Sequence, residues 1–336
     1  MTKPQHDNGE PNAAGPGAGE LSPASTGGKS ILQLVPVHPP TDELLRNRYQ
    51  THAWFAASDK ETLLSELKHC EVAVTTGSAG IQAALMERLP ALRLVACFGV
   101  GVDGVDLDYA RAHGIQVTNT PDVLTEEVAD FALALLLATL RQLPQADRYV
   151  REGQWLKAAF PLTRSMRGRR VGIVGMGRIG QAIAIRCAAF GVPVSYHGPR
   201  AKPGLAYVYV DSVLALAQAC DVLIAACPGG AQTFRLVSRE VLEALGPEGC
   251  LINVSRGSVV DQQALVELLA EGRLGCAGLD VFDDEPRVPE ALIACSRVVL
   301  TPHMASGSHQ TRSAMGKLML DNVAAYMEGR PLLTPL

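Results

Sequence analysis

Three side chains in the last third of the sequence are of types that carry chemistry, and each stands where a strand-like run ends. Arg256 follows the apolar run 250–254 and precedes Gly257. Its planar guanidinium matches a carboxylate through two parallel hydrogen bonds. His303 follows the run 298–300 through Thr301-Pro302 and is flanked by the small residues Ala305, Ser306 and Gly307. Histidine is the usual group for moving a proton near neutral pH. Glu285 lies in the acidic loop Asp283-Asp284-Glu285-Pro286, 29 residues after Arg256 and 18 before His303. Each also has an ordinary explanation: an arginine snorkelling over a sheet edge, a structural histidine, a solvated turn. Their joint weight depends on the elements that carry them and on what else those elements bind.

Two glycine turns share one spelling, Gly99-Val100-Gly101-Val102-Asp103-Gly104 and Gly175-Met176-Gly177-Arg178-Ile179-Gly180. Both follow apolar strands, so electrostatics must separate them. A pyrophosphate is held by free backbone N–H groups at the positive end of a helix dipole. In the first turn Asp103 and Asp106 would set carboxylates beside that dianion, and the following helix must end by Gly114. The second turn carries Arg178 and opens a clean helical run, 178–190, stopped by Gly191 and Pro193. Gly175, Met176, Gly177, Arg178, Ile179 and Gly180 are therefore expected to cradle a dinucleotide. The first turn is left with another role. No acid appears after the next strand until Asp211, whereas Arg200 and Lys202 do. Those cations suit a ribose 2′-phosphate and equally suit a solvated surface, so NADP(H) is favoured and NAD(H) stays open.

From residue 30 strand-like runs alternate with helical patterns, the rhythm of βαβ units. Strands are expected at 31–35, 72–75, 93–97, 115–118, 171–174, 192–197, 222–226, 250–254, 276–279 and 298–300, with a long helix over 124–140. Unbroken runs such as LRLVAC and DVLIAAC suit strands buried on both faces of parallel sheets. The fold class that follows is α/β, two doubly wound parallel-sheet domains. A substrate domain is expected over 29–120 plus 306–336 and a dinucleotide-binding domain over 121–305. Ligands in such sheets bind beyond the carboxyl ends of the strands, which singles out 75–77, 98–101, 255–257, 280–286 and 301–303.

Residues 1–28, with six Gly and four Pro, cannot offset their ordering entropy and are read as a disordered segment, neither secretory signal nor mitochondrial presequence. Gly27-Gly28-Lys29-Ser30 imitates the end of a phosphate-binding loop, but Pro23 stands where the motif needs Gly and no strand precedes it. Thirty Lys and Arg against 34 Asp and Glu, a formal charge of −4, give no electrostatic reason for a nucleic-acid or anionic-membrane partner. Eight scattered cysteines without C-x-x-C argue against a metal ribbon or disulfide scaffold and for reduced thiols in the cytoplasm. No metal is expected. The longest apolar stretch, 131–140, falls short of the ~20 residues of a membrane span.

The segments FGVGVDGVD (98–106), VTNTPDVLTEEVADFALALLLA (117–138), GRRVGIVGMGRIGQAIA (168–184), LINVSRGSVVDQQAL (251–265), GLDVFDDEP (278–286), LTPHMASGS (300–308) and PLLTP (331–335) come in an order that resembles the D-2-hydroxyacid dehydrogenase family. The chain looks most like its NADPH-preferring glyoxylate/hydroxypyruvate and hydroxyphenylpyruvate reductases. The likeness runs from about 72 to 336. It implies a Rossmann-type cofactor domain inserted into a flavodoxin-like substrate domain, and a small 2-oxo acid reduced to the D-2-hydroxy acid. It implies Arg256, Glu285 and His303 as the catalytic set, with Arg256 and the N–H groups around Val100 and Gly101 on the substrate carboxylate. By the same resemblance Asp280 would meet the nicotinamide carboxamide, and Pro228, Thr233 and Val254 would line the cofactor. One departure stands at Gly198-Pro199-Arg200: Pro199 occupies the position where NADPH-preferring relatives place Arg, and the cation moves one residue on. The helix 126–140, apolar on nearly every face, is either an internal helix or, as the resemblance implies, the seat of a homodimer with Trp155 near the interface. A 3-phosphoglycerate dehydrogenase-like NAD enzyme and a non-enzymatic dinucleotide sensor are the rival readings.

Overall fold

A computed structural model describes residues 29–336; the expectation of disorder for 1–28 lies outside the described residues. The first sheet holds β1 (Ser30–Gln33), β2 (Gln50–Ala53), β3 (Val72–Thr76), β4 (Leu94–Phe98) and β5 (Gln116–Thr118) in the order β2-β1-β3-β4-β5, all parallel. The second holds β6 (Val171–Val174), β7 (Val194–His197), β8 (Val208–Tyr209), β9 (Val222–Ala225), β10 (Cys250–Asn253), β11 (Cys276–Leu279) and β12 (Val298–Leu300). Its order is β12-β11-β10-β9-β6-β7-β8, again all parallel. The first order is flavodoxin-like and the second is that of dinucleotide-binding sheets. Both are the doubly wound arrangement expected from the alternating runs.

Alternation within each strand fills two cores per sheet. Ile31, Val72, Val74, Leu94 and Ala96 pack on one face of the first sheet, while Leu32, Ala73 and Val95 pack on the other. In the second sheet Val222, Ile224, Cys250 and Ile252 face one way and Leu223, Ala225 and Leu251 the other. Burial on both faces is why the strands read as continuous apolar runs. Two edge strands, β2 and β8, escaped the sequence reading. QTHA offers no apolar run, and β8 is only two residues long, because an edge strand needs neither full burial nor length.

The helix Thr125–Arg141 buries Ala129, Ala132, Leu133, Leu136 and Leu140 against the second sheet, while Val128 joins Leu124 in a core of the first. Its apolar circumference is thus largely covered within its own chain, the internal-helix alternative. A run of exposed apolar side chains follows it, in the helix Leu143–Arg151, which has no buried residue, and in the segment after it. After β12 the chain returns to the first sheet. The helix His309–Met327, capped by the Ser308 hydroxyl accepting from the Thr311 N–H, sets Met315, Met319, Leu320 and Val323 into the core around β4.

Candidate active site

At the switch point of the second sheet, the turns after β6 and β9 lie side by side. Gly175 has φ +97°, and a Cβ there would fall 2.6 Å from the backbone N of Cys227. A Cβ on Gly180 would fall 2.0 Å from the Gly175 carbonyl oxygen, so only glycine lets the helix Arg178–Ala189 settle on the turn. Gly177 differs: nothing stands within 4 Å of its Cβ position. It is also the N-cap of that helix and offers no side-chain acceptor, so the helix begins with unsatisfied N–H groups at its positive end. An open cradle bounded by free donors fits a pyrophosphate.

Ile179, Arg178, Pro228, Thr233 and Val254 line a cavity of about 820 Å³ at this end of the sheet. The Thr233 hydroxyl donates to the Pro228 carbonyl at 2.7 Å and closes the short turn between them. The Met176 side chain, 3% exposed, packs into the core, so only its backbone belongs to the cradle. Arg178 pairs with Asp122 at 2.7 Å, a largely exposed contact worth little in energy. Gly198, Pro199 and Arg200 follow β7, next to β6, but stand outside the lining of this cavity; Pro199 and Arg200 are exposed.

Facing the first sheet, Val100, Gly101, Arg256, Asp280 and His303 together line a smaller cavity of about 320 Å³. It shares Val100, Gly101, Ile179, Val254 and Arg256 with the larger one. Arg256 is the N-cap of the short turn Gly257–Val259 after β10. That turn presses on the one after β11, since a Cβ on Gly257 would meet the Phe282 carbonyl carbon at 2.0 Å. The guanidinium reaches across to the first sheet's glycine turn. Its Nε donates to both oxygens of Asp103 at 3.1 Å, and its Nη1 donates to the Ser255 carbonyl at 2.7 Å. Nη2 lies against Gly101, where a Cβ would come within 1.9 Å of it. The sequence treated Asp103 only as a charge unsuited to phosphate; its partnership with Arg256, 153 residues away, had no signal in the spacing.

His303 Nδ1 is 2.7 Å from Glu285 Oε2, and Glu285 Oε1 accepts the Phe282 N–H at 3.0 Å. Burial alone would raise the Glu285 pKa. The hydrogen bond with His303, the charge of that ring, the Phe282 N–H and Arg256 outweigh it and hold the carboxyl below its ordinary value. Glu285 is therefore a carboxylate behind the imidazole, leaving the other ring nitrogen to the cavity. His303 itself has φ +49°, a left-handed conformation unusual for a non-glycine residue. Asp280 explains how it is held. This carboxylate, 0% exposed, accepts from the Thr301 hydroxyl (2.7 Å), the Met304 N–H (2.9 Å) and the Ala305 N–H (2.9 Å). The Asp280 carbonyl also accepts the His303 N–H at 2.8 Å. Burial pushes the Asp280 pKa up, opposed by those donors and by His303. Its oxygens are thus turned to the Thr301 hydroxyl and the 304–305 backbone, a positioning role that the sequence reading did not give it. Among the described residues no group of three or more His, Cys, Asp or Glu could hold a metal ion.

Two doubly wound sheets, a free helix N-terminus at one switch point, and a histidine–carboxylate pair beside an arginine define a dinucleotide-dependent oxidoreductase. The chain belongs to the D-isomer specific 2-hydroxyacid dehydrogenase family, whose NAD-binding domain is matched by residues 133–305. It is 46% identical to a glyoxylate/hydroxypyruvate reductase A of Arabidopsis thaliana over 91% of this chain and 98% of that one. It is 44% identical to a hydroxyphenylpyruvate reductase of Plectranthus scutellarioides, with the same coverage. A crystallised NADPH-dependent glyoxylate/hydroxypyruvate reductase of Sinorhizobium meliloti, in complex with NADP and malonate, superimposes with a TM-score of 0.87 at 46% identity, covering 91% of this chain and 96% of that one.

Proposed function

We propose that this chain reduces a small 2-oxo acid, of the glyoxylate or hydroxypyruvate kind, to the D-2-hydroxy acid, with NADPH favoured over NADH. The observation that carries this reading is the shared inner cavity, where Arg256, Gly101 and His303 meet with Glu285 directly behind the imidazole. Arg256 and the N–H groups around Val100 and Gly101 hold the substrate carboxylate, which orients the ketone carbon. Bound in the cradle of Gly175–Gly180 and against Pro228, Thr233 and Val254, the nicotinamide cofactor supplies the hydride. His303 donates a proton to the carbonyl oxygen as charge develops there, and Glu285 stabilises the cationic ring that does so. Arg200, exposed and among the described residues without an ion pair, is the cation offered to a ribose 2′-phosphate, and the NADPH-dependent relatives support that preference. The test is loss of NADPH absorbance on adding glyoxylate or hydroxypyruvate. Absence of turnover with either acid sinks the reading.

The same reading assigns 29–120 plus 306–336 to a substrate domain and 121–305 to a dinucleotide-binding domain. It takes the protein as a homodimer, supported by exposed Leu143, Val150, Trp155, Leu156 and Leu162 in one stretch of chain. A monomeric mass by light scattering would remove that part. A cytoplasmic setting is supported by the eight cysteines, all free. No helix among the described residues is long and apolar enough to cross a membrane.

A further inference from the structure

The inner cavity holds a second guanidinium that the reduction chemistry above does not use. Arg312 stands in the first turn of the helix His309–Met327 and lines the cavity with Arg256 and His303. It is only partly exposed, and its guanidinium carbon lies 5.7 Å from the centre of the Phe98 ring. Among the described residues its guanidinium donates no hydrogen bond and forms no ion pair, and its aromatic contact is the Phe98 ring. A guanidinium carries five N–H donors, and a ring face supplies no lone pair to any of them. The carboxylate whose charge it feels is Asp280, but those oxygens already serve Thr301, Met304 and Ala305. Burial accordingly pulls the Arg312 pKa below its usual value, opposed only by Asp280. Partly exposed, these donors are left to water in the cavity and stand available to a ligand that brings an oxygen acceptor.

The chemistry of the substrate says which atom that is. Carbon 2 of a 2-oxo acid has three neighbours: the carboxylate carbon, the ketone oxygen and carbon 3. Arg256 and Gly101 take the first, and His303 takes the second. The remaining polar lining of the cavity is Thr76, Ser78, Asp280, Ser306 and Arg312, and the Asp280 oxygens are already engaged by Thr301, Met304 and Ala305. Arg312 lies over Phe98 and Arg256 against Gly101, three residues along the same chain and so at most about 10 Å apart at their Cα atoms. With both guanidinia on its lining, a cavity of about 320 Å³ has room for a molecule of three or four carbons.

We propose that Arg312 is a specificity-determining residue that receives an oxygen of the substituent on carbon 3, whether a hydroxyl or a carboxylate, so that the protein selects 2-oxo acids bearing such a substituent. The proposal rests on the reading of this site as a 2-oxo acid reductase. It is tested by kcat/KM with NADPH for hydroxypyruvate, oxaloacetate, pyruvate and glyoxylate, in the wild type and in R312M and R312K. Pyruvate ends in a methyl group and glyoxylate has no carbon 3, so each acts as an internal control. The wild type is expected to prefer hydroxypyruvate and oxaloacetate over pyruvate. In R312M that preference should shrink by about 10- to 100-fold, the loss typical of a charge-assisted contact. Lysine, a point charge, should restore part of it. Should R312M fail to fold, an R312K ratio unchanged from wild type overturns the proposal by itself. It is also overturned if R312M lowers all four acids by one common factor, or lowers none. A wild type that reduces none of the four overturns the functional reading as well, whereas one that reduces glyoxylate but gives an unmoved ratio in the variants overturns only the role of Arg312.

Discussion

The turns 99–104 and 175–180 have the same spelling and opposite surroundings. From Arg178 the second turn passes directly into a 12-residue helix whose N-cap, Gly177, leaves its first donors without a side-chain acceptor. After Gly104 the chain continues in a 6-residue helix whose N-cap, Asp106, accepts the Tyr109 N–H at 2.9 Å and so uses up a donor that an anion would need. The middle glycines differ just as sharply. Gly177 faces open space, whereas Gly101 lies under a guanidinium from the other sheet. One turn is open to a dianion at a helix end; the other forms a wall on which a cation is laid. A glycine motif thus specifies close backbone approach, and its neighbours decide what approaches.

Each variant below is read twice, by NADPH affinity and by substrate kinetics, so that the contrast between the turns can fail. The largest effect is expected for H303A: kcat for reduction should fall by about 10²-fold or more, with NADPH affinity retained. A rate near wild type would take the proton donor away from this cavity. G177A puts a methyl group into the open cradle, and an added methyl that collides costs about 1–3 kcal/mol. NADPH should bind roughly tenfold more weakly or worse, with thermal stability retained. G101A should do the reverse, raising KM for the 2-oxo acid by about tenfold as the Arg256 guanidinium is displaced, with NADPH affinity kept. If the two alanine variants exchange phenotypes, the comparison is inverted.

A subtler outcome is expected from E285Q. Glu285 is held below its ordinary pKa and stays anionic well into acid, while glutamine is neutral at every pH. The alkaline fall of the reduction rate should therefore begin at lower pH in the variant, by about one unit or more. Superimposable profiles would separate Glu285 from His303. The smallest effect belongs to D103N. Both partners of the Asp103–Arg256 pair are 22% exposed, so solvent screens part of their attraction. A rise in KM of about two- to fivefold is expected, with kcat little moved. A larger fall in kcat would give Asp103 more than a positioning role.

Much of this was legible before folding, and for physical reasons. Strands buried on both faces must be continuously apolar, so ten of them stood out at 31–35 through 298–300, while the polar QTHA and the two-residue β8 did not. The turn 175–180 could be nominated as a dinucleotide cradle because the donors, the dipole and the glycines involved are contiguous in sequence. Arg256, Glu285 and His303 could be nominated because a strand end in such a sheet is where ligands bind.

What the chain could not declare linearly is every contact made across the two sheets. The hydrogen bonds from Arg256 to Asp103 span 153 residues, and the donors that turn Asp280 inward come from a loop more than 20 residues on. Arg312 reads in sequence as one more helical cation. Only the packing of its helix over β4 leaves it without an ion pair and places it on the inner cavity. Residue types, periodicities and strand ends are local properties fixed by composition and backbone geometry. Which charge is left without a partner depends on distances between distant segments, and those exist only in the folded chain.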